Sequence, residues 1–235
     1  MRAFVERTNG NLRGAMDGVP GWPAAWSRFL PQNEDEVNWR LGGWEVYEEA
    51  PRIQGQRMVD GCYIAGGGAR TWWRPAAYGD PTRFTTEQLD EKALNCVSFY
   101  MVAALCAWDG GRLPRSTELQ AAWRGTDNRA YPWGNTLDVS RMVHRFNYWS
   151  GPMCPGGNCD NAFYIAAPGR RPTGYGPYGH ADLAGNVFNF VWDGDYVGKW
   201  VWTGSFEGHE PTVRLQVADL RPRPRYWATG GRCAY

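Results

Sequence analysis

Asp182-Leu183-Ala184-Gly185-Asn186-Val187-Phe188-Asn189-Phe190-Val191-Trp192 joins a Gly-Asn turn to a run of β-branched and aromatic residues. Such a run, bounded by glycine, predicts a short strand over Val187 to Trp192. The same signal predicts strands over Trp200 to Phe206 and Ala228 to Cys233. Upstream, Val97, Met101, Leu105 and Trp108 recur at helical spacing between Asn95 and Trp108, with Ser98 as cap and Asp109-Gly110-Gly111 as stop. A second helix starts near Ser116 or Thr117, turns Leu119, Ala122 and Trp123 inward and stops at Gly125, and Thr117 with Gln120 fits a capping box.

Toward the N-terminus the pattern weakens. Met1 to Thr8 reads as a helix end, and Asn9 to Glu49 shows no sustained period, which predicts a loop-rich insert packed by Trp22, Trp26, Trp39 and Trp44. Across 235 residues there are 14 Trp, 12 Tyr, 30 Gly and 16 Pro, so irregular loops dominate. Buried Trp suits such a chain, because it buries a large apolar area while its N–H ties down a loop carbonyl. The length fits one domain with one core. No internal repeat or low-complexity linker interrupts it, and Arg221-Pro222-Arg223-Pro224-Arg225 reads as an exposed extended connection.

A formal charge of +1 gives no field that would attract nucleic acid or an anionic membrane. No apolar run reaches the ~20 residues that a membrane span needs, and Met1-Arg2-Ala3-Phe4-Val5-Glu6-Arg7 lacks the apolar stretch of an export signal. A soluble chain is expected. Cys62, Cys96, Cys106, Cys154, Cys159 and Cys233 form an even set with no Cys-x-x-Cys pair, which favours disulfides and an oxidising, extracytoplasmic compartment. Pro155-Gly156-Gly157-Asn158 is a turn sequence able to bring Cys154 and Cys159 together.

Beyond residue 90 the motifs fall into an ordered series: Asn95-Cys96-Val97-Ser98, Trp108-Asp109-Gly110-Gly111-Arg112-Leu113-Pro114, Tyr131-Pro132-Trp133-Gly134-Asn135, Asp182 to Val187, Thr203-Gly204-Ser205-Phe206 and Gly231-Arg232-Cys233. Together they resemble the formylglycine-generating enzyme family, the sulfatase-modifying factor domain. Residues 90–235 carry the likeness, whereas residues 1–90 offer only Cys62 and Trp72-Trp73-Arg74. The resemblance implies a single α+β domain over residues 1–235, loop-rich and low in regular structure, with a C-type-lectin-like core and a divergent, shortened N-terminal part. It also implies a Cys106–Cys233 disulfide, which leaves Cys62 with Cys96 by elimination. Leu94-Asn95-Cys96-Val97, Trp108 to Gly111 and Tyr178 to Val187 look closest to the secreted, cysteine-rich branch.

Members of the family place two cysteines after Gly-Gly-Ser-Phe/Tyr, where they bind copper(I) and oxidise a substrate cysteine with oxygen. Here Gly208 and Val213 stand at those positions, followed by Arg214 and Gln216, and Ser205 to Val213 contains no sulfur. Copper(I) prefers soft thiolates, so copper and formylglycine formation are not expected. The favoured function is therefore a non-catalytic, extracytoplasmic module that binds a peptide, protein or carbohydrate. Its groove is expected to use Trp192, Asp193, Asp195, Tyr196, Trp200, Trp202 and Arg214. Core packing competes for about half of the aromatics there.

The alternative is a metal-dependent oxidase or oxygenase with an altered site, using His209 between Glu207 and Glu210. Against it, only His144, His180 and His209 exist, and an ordinary hydrated loop accounts for His209. His180 beside Asp182 reads as a hydrogen-bonded structural residue. The family resemblance further implies calcium at Asn186 and the Val187 carbonyl. Asn189 stands where the family has glutamate, which weakens a hard-cation site, and Asn147 with Asp160 could serve a second one.

Overall fold

The computed structural model describes residues 1–42, 52–53, 56–57, 71–72, 86–144, 165–194, 199–202, 216–219 and 229–235. The chain opens with helix α1 (Arg2–Arg7), which buries Phe4 and Val5 and ends where the Thr8 hydroxyl donates to the Phe4 carbonyl at 2.8 Å. Helix α2 (Leu12–Ala15) is capped by Asn11, whose Oδ1 accepts the Gly14 N–H at 2.9 Å. A 3-10 turn over Ala24–Phe29 leads to helix α3 (Glu34–Gly42). In its first turn Asn33 Oδ1 accepts the Glu36 N–H, and Glu34, Asp35 and Glu36 complement the helix dipole.

The segment read as a loop-rich insert thus contains short helices. Four- and six-residue elements are too brief to show a period. Asn11 and Asn33 cap α2 and α3, and burial of Leu12, Met16, Leu30, Val37 and Leu41 holds the segment. Trp22 and Trp26 pack there as expected, edge to face at 5.4 Å.

Strands β1 (Arg52–Ile53) and β2 (Gln56–Arg57) pair antiparallel, and helix α4 (Thr86–Asp90) follows. Helix α5 (Phe99–Trp108) is the centre of the main core. Ser98 Oγ accepts the Met101 N–H at 3.2 Å, so the expected cap is present. Its buried residues Phe99, Met101, Val102, Ala103, Ala104 and Cys106 are spread around the helix, as in an element with protein on nearly all sides. Helix α6 (Ser116–Arg124) is amphipathic instead and buries Leu119, Ala122 and Trp123 against Met142, Leu183 and Val191.

The cap of α6 differs from the sequence expectation by register. Glu118, not Gln120, reaches back, accepting the Arg115 N–H at 2.7 Å. Its carboxylate also pairs with Arg112 at 2.7 Å. Trp side chains pin loops as anticipated: Trp123 Nε1 donates to the Ala130 carbonyl at 2.9 Å and Trp133 Nε1 to the Thr136 carbonyl at 3.0 Å.

Strands β3 (Phe188–Val191), β4 (Lys199–Trp202), β5 (Gln216–Asp219) and β6 (Thr229–Gly230) form one sheet in the order β5-β4-β3-β6. β4 runs antiparallel to both β3 and β5, while β6 lies parallel to β3 with Asn189 opposite Gly230. β3 and β6 fall inside the predicted strands, β4 overlaps the predicted Trp200 to Phe206 only over Trp200 to Trp202, and β5 was not anticipated. β6 approaches the core closely, since a Cβ on Gly230 would stand 2.5 Å from the Leu94 carbonyl oxygen. Beyond it, Cys233 is disulfide-bonded to Cys106 of α5, with Cα atoms 5.3 Å apart, which gives the pairing implied by the family resemblance. Cys96 is buried, whereas Cys62, Cys154, Cys159 and the Arg221 to Arg225 run lie outside the described residues. No described helix is long and apolar enough to cross a membrane.

Candidate functional site

β3 delivers two candidate ligand residues, and both are engaged by the scaffold. The Trp192 N–H donates to the Pro114 carbonyl at 3.0 Å, and its half-buried ring meets Trp26 at 4.9 Å, inclined by 66°. Trp26 also touches Phe99 and Tyr100, so an N-terminal turn, α5 and the end of β3 share one aromatic cluster. Asp193 Oδ1 accepts the Ser116 N–H at 2.8 Å, at the start of α6. A carboxylate there satisfies an open helix donor and complements the dipole. Trp200 and Trp202 belong to β4, beside β3. Asp195, Tyr196 and Arg214 lie outside the described residues, as do Glu207, Gly208, His209, Glu210 and Val213.

On the other side of β3, the turn before the strand is pinned from several directions. Asp182 and Asn186 adopt positive φ of 50° and 61°, a backbone that Asp and Asn tolerate better than most residues. Asn186 Oδ1 accepts the Ala166 N–H at 3.1 Å, and its Nδ2 donates to the Ala166 carbonyl at 3.2 Å and to Asp182 Oδ2 at 3.4 Å. Asp182 Oδ2 also accepts the Gly169 N–H at 2.9 Å. Burial holds the Asp182 carboxyl above its ordinary pKa, against the opposing pull of those donors and of Arg232.

Arg232 reaches into this turn from just beyond β6. Its Nε donates to Asn189 Oδ1 at 3.1 Å, and its Nη2 donates to the Ala181 and Asp182 carbonyls, each at 3.0 Å. Burial lowers the pKa of this guanidinium and the Asp182 charge raises it; arginine remains cationic.

These contacts bear on the calcium ligands implied by the family. Asn186 and Val187 are buried at the expected place, but the Asn186 carboxamide is committed to Ala166. Asn189 presents its oxygen to a guanidinium, and its buried Nδ2 has no hydrogen-bond partner among the described residues. As they stand, these side chains do not fit a divalent cation. Asn147 and Asp160 lie outside the described residues. Among the described residues no group of three or more His, Cys, Asp or Glu could hold a metal.

Neither His144 nor His180 belongs to a metal-binding group among the described residues. His144 is buried. His180 departs from expectation: it offers its backbone carbonyl to the Gly176 N–H, while its exposed ring lies beside Tyr178, because the Asp182 carboxylate turns toward Gly169. A cavity of about 320 Å³ opens elsewhere, between Arg2, Trp72, Asp90 and Lys92, and none of the expected binding residues lines it.

Sequence reading missed the roles of Asp193 and Arg232. Gly231-Arg232-Cys233 stood out as a motif, but nothing local shows that its arginine turns back to residues 181–189.

Comparison with known proteins gives a consistent set of relatives. A family described as "Sulfatase-modifying factor enzyme 1-like domain" matches residues 22–232. The chain is 33% identical over 198 residues to a Bos taurus protein named "Inactive C-alpha-formylglycine-generating enzyme 2", covering 81% of this chain and 59% of that one. It is 33% identical over 183 residues to the "Formylglycine-generating enzyme" of Thermomonospora curvata, covering 74% and 55% respectively. The Mus musculus "Formylglycine-generating enzyme" is 31% identical over 134 residues, 53% of this chain and 35% of that protein. The chain therefore spans less than two thirds of each of these relatives.

Proposed function

The chain belongs to the sulfatase-modifying factor enzyme 1-like family, and from that premise we propose that it is a non-catalytic binding module on the family scaffold. The observation that carries this reading is the absence of sulfur from Ser205 to Val213. Likeness alone does not separate the alternatives, because the chain is 33% identical both to a protein named inactive and to one named as a formylglycine-generating enzyme. The residue types do separate them. A copper(I) pair needs soft thiolates, and Gly208 and Val213 supply none.

On this reading the domain is a single α+β unit with a C-type-lectin-like core that works in an extracytoplasmic compartment, where the Cys106–Cys233 disulfide persists. Its ligand is a peptide, protein or carbohydrate, gripped by the loops around β3 and β4. Trp192 and Asp193 would belong to one edge of that groove, and their ties to Trp26 and Ser116 support a pre-ordered surface there. The metal-dependent alternative would need His209, Glu207 and Glu210, which lie outside the described residues.

The test is titration of tryptophan fluorescence with cysteine-containing peptides and with oligosaccharides, followed by mass analysis of the recovered ligand. A saturable change with unmodified ligand is expected. Oxidation of the peptide cysteine, or no saturable change with either class, would contradict the proposal.

A further inference from the structure

The Arg232 guanidinium gathers oxygens that are far apart in sequence: Asn189, 43 residues away, and Ala181 and Asp182, 51 and 50 residues away. We propose that Arg232 is the resident cation of this turn, holding together the oxygens of Ala181, Asp182 and Asn189, and that Asn189 is not a calcium ligand in this protein. The inference concerns the scaffold and does not depend on the binding-module reading.

Three observations carry it. First, Asn189 Oδ1 and the Asp182 carbonyl point at N–H groups of one guanidinium, so a divalent ion using either oxygen would stand beside a fixed positive charge. In a poorly solvated interior that repulsion is weakly screened, and arginine does not deprotonate to relieve it. Second, Asn189 is 2% exposed, and its Nδ2 has no acceptor among the described residues. The carboxamide is turned so that its oxygen serves Arg232 while its other end offers only hydrogens, which repel a cation. Third, the charge balances among the described residues of this hydrogen-bonded cluster. Asp182 supplies one carboxylate and Arg232 one cation, whereas a calcium ion added here would add two positive charges with no further described carboxylate to meet them.

The tie also has a structural consequence. Arg232 lies between β6, paired to β3, and Cys233, bonded to α5. The chain itself thus cross-links the Ala181 to Asn189 turn to the sheet and to the central helix, without a metal.

The test is thermal melting of the full chain in excess calcium and in chelator, for wild type, Asn189→Asp and Asn189→Leu. Any calcium-induced rise in Tm is expected to be the same in all three, whether it is zero or comes from a site that does not use Asn189. The proposal is overturned if the rise grows in Asn189→Asp, since an added carboxylate would strengthen a true calcium site. It is equally overturned if a wild-type rise vanishes in Asn189→Leu. Should Asn189→Leu fail to fold, the Asn189→Asp comparison decides alone.

Discussion

Asp193 Oδ1 and the Ser116 N–H meet at 2.8 Å across 77 residues of sequence, so the segment just past β3 supplies an acceptor for the first turn of α6. Removing an N-terminal cap acceptor costs about 1–2 kcal/mol. Asp193→Ala should therefore lower Tm, at roughly 2–4 °C per kcal/mol for a chain of this length. Asp193→Asn keeps an acceptor and should lose less. A wild-type Tm for Asp193→Ala would show that the bond contributes nothing. Any loss of ligand binding in that variant has to be judged below its own melting transition.

The Cys106–Cys233 disulfide closes a sequence separation of 127 residues. In the chain-entropy model a loop of that size stabilises by about 4–5 kcal/mol. Melting of Cys106→Ser/Cys233→Ser, or of reduced wild type, should show a loss of that order. The double variant should change little more on reduction if this disulfide dominates the redox dependence. A double variant as stable as the oxidised wild type would contradict the claim.

Arg112 is the main cause holding the Glu118 carboxyl down at about 2, helped by the Arg115 N–H. A depressed carboxyl stabilises the fold above its unfolded pKa and loses that contribution as pH falls through the folded value. The window is therefore from about 4.5 down to about 2. Both partners are more than two-fifths exposed, so solvent screening keeps the contribution below about 1 kcal/mol. Glu118→Gln should flatten that part of the stability–pH profile, as read by denaturant melts between pH 5 and pH 3. An unchanged slope would remove Glu118 from the acid dependence.

Gly185 sits at φ +80°, and a Cβ there would stand 2.5 Å from the Val143 carbonyl oxygen, which accepts the Asn186 N–H. Gly185→Ala must strain the backbone and push that strand-like contact apart. A loss of about 2–4 kcal/mol follows, measurable by urea denaturation. Near-wild-type stability would mean that the turn relaxes more freely than its contacts imply.

Helices α5 and α6 were legible because each is long enough to carry apolar residues at helical spacing, on all sides of α5 and on one face of α6, and is bounded by Ser98, Gly110 or Gly125. β3 and β6 were legible because aromatic and β-branched residues sit between glycines. The helices between residues 12 and 42 were hidden, since their stability comes from Asn caps and from packing of Leu12, Val37 and Leu41 rather than from period. β5 owes its identity to pairing with β4, a partner no local pattern names. At the candidate site, Asn186 and Asn189 stood out by residue type. Their actual contacts depend on Arg232 and Ala166, brought close only by the parallel β3–β6 pairing and the loop before the turn.

The central claim is loss of the copper-thiolate chemistry, and the most direct measurement is oxygen uptake by the copper-supplied protein with a cysteine-containing peptide, with mass analysis of the peptide. The account predicts no copper-dependent uptake above a protein-free control and an intact peptide cysteine. Copper-dependent uptake with conversion of that cysteine to formylglycine would contradict it.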